Sequence, residues 1–285
     1  MKVKTLIFHF ICDEPVKGTP DKLRGFFADK FREYTLIHQH LTNNKLLYRA
    51  PLIQYKILND KPFVLGINEG AEVLQKIYQD IDYLKIGSSE YQIREKNIVL
   101  KTDYFGTIDE QISYSFLTPW LALNEKNFEE YQKLGTWQKR KELLEKVLIG
   151  NIISMSKSLG YTVPGQIVAS IGRLKEVPTN LKSTPMLSFF GTFSVNFEIP
   201  DYWGIGKSVS RGLGTVVRAE DRRQKTENRR TEDRRQTTDN RGQTTEDRGQ
   251  TNRQTDEQTS RRADDRREDS RLADSRQTEN RHNKK

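Results

Sequence analysis

Cysteine is nearly absent: 285 residues contain only Cys12, placed inside an apolar run. A single thiol excludes an intrachain disulfide and a metal site built on thiolates. No apolar run approaches the roughly 20 residues of a membrane-spanning helix. The opening run from Met1 to Phe10 is too short and too β-like for a secretory signal. We therefore expect a cytoplasmic protein. From Ala219 onward large apolar side chains disappear; the only aliphatic residue bigger than alanine is Leu272, and no aromatic occurs. A heptamer recurs there, at Thr231–Thr237, Thr238–Thr244 and Thr245–Thr251. No position of it is apolar, so it has no coiled-coil seam. Too little surface can be buried to offset the ordering entropy. Residues 219–285 are expected to form a disordered, low-complexity tail rich in Arg, Gln, Thr, Asp and Glu.

Charge follows the same division. Of 48 basic and 39 acidic side chains, 19 and 16 lie beyond Arg218, which leaves the first 218 residues with 29 and 23. That excess of +6 favours a polyanionic partner.

Periodicity organises the body into two similar halves. Lys2–Cys12 reads as a buried first strand. Thr19, Pro20 and Asp21 start a helix whose stripe (Leu23, Phe26, Phe27, Phe31, Tyr34) carries it to about Tyr34. Two strands, Leu46–Leu58 and Pro62–Ile67, flank an Asn59-Asp60 turn. A second helix spans Gly70–Ile81, and strands follow at Tyr83–Ile86 and Glu90–Leu100. The order β-α-β-β-α-β is that of a ferredoxin-like, RRM-like unit. The second half reads as a degenerate copy: a strand Ile112–Leu123 interrupted by Pro119, a helical stretch Asn124–Gly160 broken near Gly135, and strands Gln166–Leu174 and Met186–Ile199. The expected class is α+β, with tandem ferredoxin-like domains at 1–108 and 109–218 followed by the tail.

Beyond the last long strand stand Gly204, Gly206, Gly212 and Gly214, interleaved with Lys207, Ser208, Ser210 and Arg211. Glycine permits positive φ and close backbone approach, so the segment reads as a backbone-lined anion site for nucleic-acid phosphate, or as a glycine-rich hairpin without a ligand. A Walker A loop fails, because the first required glycine is Asp201. The dinucleotide fingerprint fails at Val209.

Four histidines occur. His282 lies in the tail, and His9 suits a core or edge position of the first strand. His38-Gln39-His40 falls in a loop-like stretch after the first helix. A zinc there lacks a third ligand, so no metal is expected. Acid–base work fits better, since the imidazole pKa of about 6.5 lies near neutrality. Lys30 and Tyr48 are near enough in sequence to converge on the same place.

A histidine pair after the first helix, the strand Tyr48-Arg49-Ala50-Pro51-Leu52-Ile53-Gln54-Tyr55-Lys56, and the glycine pairs Gly204/Gly206 and Gly212/Gly214 occur together. In this the chain resembles the CRISPR repeat-processing endoribonucleases called Cas six, of the RAMP superfamily, most closely their b-type branch. The resemblance covers about Met1 to Val217. It implies metal-independent cleavage of precursor CRISPR RNA within its repeats, leaving a 2′,3′-cyclic phosphate and a 5′-hydroxyl. It places catalysis on His40 and His38, with Lys30 and Tyr48 in support. It places RNA binding on Gly204, Gly206, Lys207, Ser208, Arg211, Gly212 and Gly214, with Arg49 and Lys56. No cofactor is implied. The partners are CRISPR repeat RNA and the other subunits of a CRISPR effector complex, with a homodimer left open and no membrane. Two rivals remain at this point: a non-catalytic guide-RNA-binding subunit of the same superfamily, and a small-molecule phosphate binder.

Overall fold

Alternation decides the first strand. In Lys2–Cys12 (β1), Leu6, Phe8 and Phe10 turn to one face and Val3 and Ile7 to the other, and all five are buried. Such a strand belongs at the centre of a sheet covered on both sides. The computed structural model describes residues 1–38, 50–181 and 184–219, the side chain of His38 aside. The expected tail beyond Ala219 lies outside the described residues.

Thr19 stands at the N-cap of the first helix, α1 (Pro20–Lys30), where Pro20 needs no N–H donor. The helix ends earlier than its apolar stripe suggests. Phe31 leaves helical geometry (φ −124°, ψ 57°) with its ring buried, and the chain then forms a one-turn helix, α2 (Thr35–His38). After residues 39–49, which are outside the description, β2 (Ile53–Leu58) and β3 (Lys61–Ile67) form the expected hairpin. Asn59 and Asp60 both take the left-handed conformation that a two-residue hairpin turn demands. Among the described residues β2 begins only at Ile53, past Pro51, which has no N–H to give a ladder. Helix α3 (Glu69–Ile77) continues as a 3-10 turn through Asp80, and β4 (Tyr83–Ile86) and β5 (Ser89–Tyr104) complete the half. The sheet order is β2-β3-β1-β5-β4, with every pair antiparallel. This is the ferredoxin-like arrangement with β4 added as a short flap on the start of β5.

The second half repeats the topology. It comprises β6 (Gly106–Phe116), α4 (Glu125–Lys133), α5 (Trp137–Ser158), β7 (Ala169–Leu181), β8 (Thr184–Glu198) and β9 (Val216–Arg218), with sheet order β7-β8-β6-β9. Leading hairpin, first strand and last strand occupy the same relative places in both sheets. The strand expected at Ile112–Leu123 starts earlier and stops at Phe116. Beyond it the chain crosses to β8, where only Trp120 bridges, to Phe189. In place of the unit's second helix the chain has Pro200–Thr215, the glycine-rich loop, with a single 3-10 turn at Val209–Arg211.

One face of the first sheet is covered by α1, α2 and α3, through Leu23, Phe27, Ile37, Ala71, Leu74 and Ile77. Its other face, through Val3, Ile7, Phe63, Leu65 and Ile67, joins the core of the second half. Phe105 links β5 to β6 and is fully buried, with ring centroids 4.9 Å from Phe197 and 5.4 Å from Trp203. No described helix is long and apolar enough to cross a membrane.

Candidate active site and glycine-rich loop

Three consecutive residues of β2 hold both candidate elements. Because a strand alternates its side chains, Gln54 and Lys56 face one way and Tyr55 the other. All three are buried. The Tyr55 hydroxyl donates to the Ile37 carbonyl at 3.2 Å, which ties α2 to the sheet one residue before His38. Burial pushes the Tyr55 phenol well above its usual range, so it remains a donor. Past the undescribed segment, the Ala50 N–H donates to Ser158 Oγ at 2.9 Å, at the end of α5. The residues flanking the stretch that carries His40, Tyr48 and Arg49 are thus held at β2 on one side, through Ile37, and at the end of α5 on the other, through Ala50. Those three residues themselves lie outside the described part.

Lys30, the last residue of α1, is exposed. Its ammonium sits 5.1 Å from the Tyr83 ring centre and about 6 Å from those of Phe26 and Phe31. Such contacts contribute on the order of 0.5–1 kcal/mol at an exposed site and limit where the charge can point.

On the opposite face of β2, Gln54 Oε1 accepts from the Gly204 N–H at 2.9 Å and from Lys56 Nζ at 3.2 Å. Lys56 Nζ also donates to Thr215 Oγ1 at 2.9 Å, and Thr215 Oγ1 donates to the Gly212 carbonyl at 3.0 Å. Thr118 Oγ1 donates to that same carbonyl at 2.7 Å. The expectation that Lys56 meets RNA is thus corrected. Its side chain is fully buried and holds the loop from beneath. The glycines are also used differently from an anion lining. Gly204, Gly212 and Gly214 are buried, and the N–H groups of Gly212 and Gly214 go to the carbonyls of Val209 and Pro119. At Gly212, with φ of 80°, a β-carbon would lie 2.7 Å from Pro20 Cγ and 3.0 Å from the Tyr55 carbonyl. Glycine is needed there so that the loop can lie flat on α1 and β2. Lys207 stays exposed, and Ser208 and Arg211 are half-exposed.

Two cations are unusual in their surroundings. Burial lowers the Lys56 pKa from the usual 10.5 to about 7, and its hydrogen-bond partners are neutral oxygens. Arg24, half-buried on α1, is lowered first by burial and next by Arg211. His9 is half-buried beside Phe63, with ring centroids 5.2 Å apart; burial, then Lys61, lowers its pKa.

The Lys56 environment predicts a pH dependence. Between about pH 7 and about pH 10 the unfolded chain binds a proton that the folded chain has released, so stability rises with pH across that window. Below the window the folded state bears the full cost of an enclosed ammonium. Lys56→Met should remove a rise of up to roughly 1.4 kcal/mol per pH unit. Urea unfolding of both proteins near neutral pH and near pH 9 measures it. Identical pH dependence in the two would show that the ammonium stays charged in the folded protein.

Sequence reasoning missed Gln54, Tyr55, Thr118 and Thr215 as holders of the site. One signal was present, since three polar-tipped residues interrupt a strand otherwise flanked by Leu52, Ile53, Ile57 and Leu58.

Residues 1–104 match the Cas6b N-terminal domain and residues 106–219 the Cas6b C-terminal domain. A crystal structure of Cas6b is 40% identical, over 77% of this chain and 100% of that one, with a TM-score of 0.71. A second, of the CRISPR RNA processing endoribonuclease Cas6b, is 37% identical over 77% of this chain and 100% of that one, with a TM-score of 0.61. The uncharacterized protein MJ0978 of Methanocaldococcus jannaschii is 41% identical over 146 residues, which is 51% of this chain and 99% of that protein.

Proposed function

The chain belongs to the Cas6b family, and from that premise we propose a metal-independent cut within each repeat of a precursor CRISPR RNA. The protein is a CRISPR RNA processing endoribonuclease. In the chemistry proposed, one imidazole of the His38/His40 pair takes the proton of the ribose 2′-hydroxyl. That oxygen attacks the adjacent phosphorus. The other imidazole protonates the departing 5′-oxygen, which leaves a 2′,3′-cyclic phosphate and a 5′-hydroxyl. Lys30, with Tyr48, offsets the charge that builds on the phosphorane. Lys207, Ser208 and Arg211 hold the strand from the glycine-rich loop. Residues 1–108 carry the first group and 109–218 the second. The partners in this reading are the repeat RNA and the effector-complex subunits that receive the product.

The observation that carries the reading is the double anchoring by β2. Tyr55 ties Ile37, the residue before His38, to this strand, and Gln54 with Lys56 ties the loop to it. Alignment of the 2′-oxygen with its leaving group is worth roughly 7–11 kcal/mol when the geometry is near attack. That contribution needs such anchoring. The family match favours an enzyme over the non-catalytic guide-RNA-binding subunit.

The test is cleavage of labelled repeat RNA in EDTA, beside the same RNA with a 2′-deoxy substitution at the cut. We expect the first to be cut and the second to survive. Activity that disappears with divalent ions, or that ignores the missing hydroxyl, would overturn the mechanism.

A further inference from the structure

We propose that the cleft between the last turns of α5 and the returning chain at Tyr161–Ile167 holds one unpaired nucleobase of the repeat RNA. The proposal rests on the reading above that this chain binds and cuts CRISPR RNA. The cleft has a volume of about 760 Å³, within the range of small-ligand sites. Its construction follows from the way α5 ends. Gly160 takes a left-handed φ of 70°. Its N–H donates to the Lys157 carbonyl at 3.1 Å, and the Tyr161 N–H donates to the Ser156 carbonyl at 2.9 Å. That paired cap reverses the chain. Ile149, Ile153 and Lys157 recur at four-residue intervals and so share one helix face. Together with Tyr161, Val163 and Gln166 of the returning chain they line the cleft. The returning wall is braced from behind. Asn196 on β8 accepts from the Val168 N–H at 2.7 Å and donates to the Gln166 carbonyl at 3.0 Å, and the Tyr161 hydroxyl accepts from the Thr107 N–H at 3.3 Å.

The chemistry of these walls suits a base and not a phosphate. Ile149, Ile153 and Val163 are half-buried apolar side chains with open space over them. The C-terminal end of a helix carries partial negative charge, which disfavours a phosphate and leaves a neutral base untouched. A base presents two flat faces and a hydrogen-bonding edge. Unpaired RNA bases are read in that way, packed against side chains and bonded along the edge. At the rim stand Lys157 and Gln166, both exposed. The Gln166 amide offers a donor and an acceptor side by side, which lets it read a base edge. Position ties the cleft to the cut. Lys157 is followed by Ser158, whose Oγ accepts from the Ala50 N–H at 2.9 Å. Ala50 resumes the described chain two residues after Tyr48. A base held here therefore belongs to a nucleotide near the cutting centre, and the cleft sets which linkage of the repeat is presented.

The experiment uses the full chain, labelled repeat RNA, and a set of the same RNAs each carrying one abasic nucleotide. In the parent, one position near the cut should bind about tenfold more weakly when its base is removed, the usual worth of one held base. Ile153→Trp fills the cleft. It should bind unmodified RNA about as weakly as the parent binds that abasic RNA, and be indifferent to the missing base. Gln166 is exposed, so Gln166→Ala keeps the fold and still tests the cleft if the larger substitution disturbs α5. It should lose the parent's preference among the four bases at that position. A parent without such a position overturns the cleft alone. So does an abasic profile in Ile153→Trp, or a base preference in Gln166→Ala, that equals the parent's. A parent that neither binds nor cuts repeat RNA overturns the reading beneath it as well.

Discussion

Replacing His40 with alanine is expected to slow repeat cleavage by roughly 10²–10⁴-fold, the usual worth of a placed proton-transfer group. Affinity for the repeat should stay near the parent value, because the phosphate contacts proposed above lie on other elements. The physical basis is the match between imidazole and neutral pH. A group with a pKa near 6.5 can hold or release a proton at little cost in either direction. The pH–rate profile supplies a second reading. If His38 and His40 divide the acid and base roles, the bell of the parent should lose one limb in each single variant. Equal loss of binding and of cutting in His40→Ala would mean that the residue supports structure rather than chemistry.

The second large effect concerns stability. Phe105→Ala is expected to cost about 3–5 kcal/mol, the range for deletion of a buried phenyl ring. Phe105 is fully enclosed and stands where the two sheets meet, against Phe197, Trp203 and Tyr161. The loss should be felt throughout, because the core of the second half includes Val3, Ile7 and Phe63 of the first. All three tryptophans, Trp120, Trp137 and Trp203, lie in the second half. Urea unfolding followed by tryptophan fluorescence reports on that half, and far-UV circular dichroism reports on both. We expect the two curves to coincide and to shift together. Separate midpoints in the parent would show that the halves unfold independently.

Much of the architecture was legible in the sequence, for local reasons. Asn59-Asp60 between two apolar runs marks a hairpin because few other residues tolerate both left-handed positions. The α5 stripe of Leu143, Leu144, Val147, Leu148 and Ile152 is buried as its spacing implied. Where the reading departed, distant partners decided. Lys56 looks like a surface cation in one dimension, but its acceptor Thr215 is 159 residues away. No window along the chain can show that an ammonium will be enclosed by a loop folded back from the other half. The four glycines suffered the same ambiguity. Ligand approach and tight protein packing both require a missing β-carbon, and only the residues lying against them distinguish the two: Val209 and Gln54 at Gly204, Trp120 and Leu121 at Gly206, Pro20 and Tyr55 at Gly212, and Ile205 at Gly214. The early end of α1 depends on where Phe31 finds its pocket, again a tertiary matter.

The Pro200–Thr215 stretch in place of a helix also bears on attempts to dissect the protein. A complete ferredoxin unit shields its sheet with two helices of its own, whereas here one cover is borrowed from β2 and α1. Severing the chain near Phe105 would deprive Lys56 of its Thr215 acceptor and Gln54 of its Gly204 donor on one fragment, and would leave the glycine segment of the other with nothing to lie on. Neither piece should fold alone. Mixed together, the two should reconstitute the fold only as a noncovalent pair.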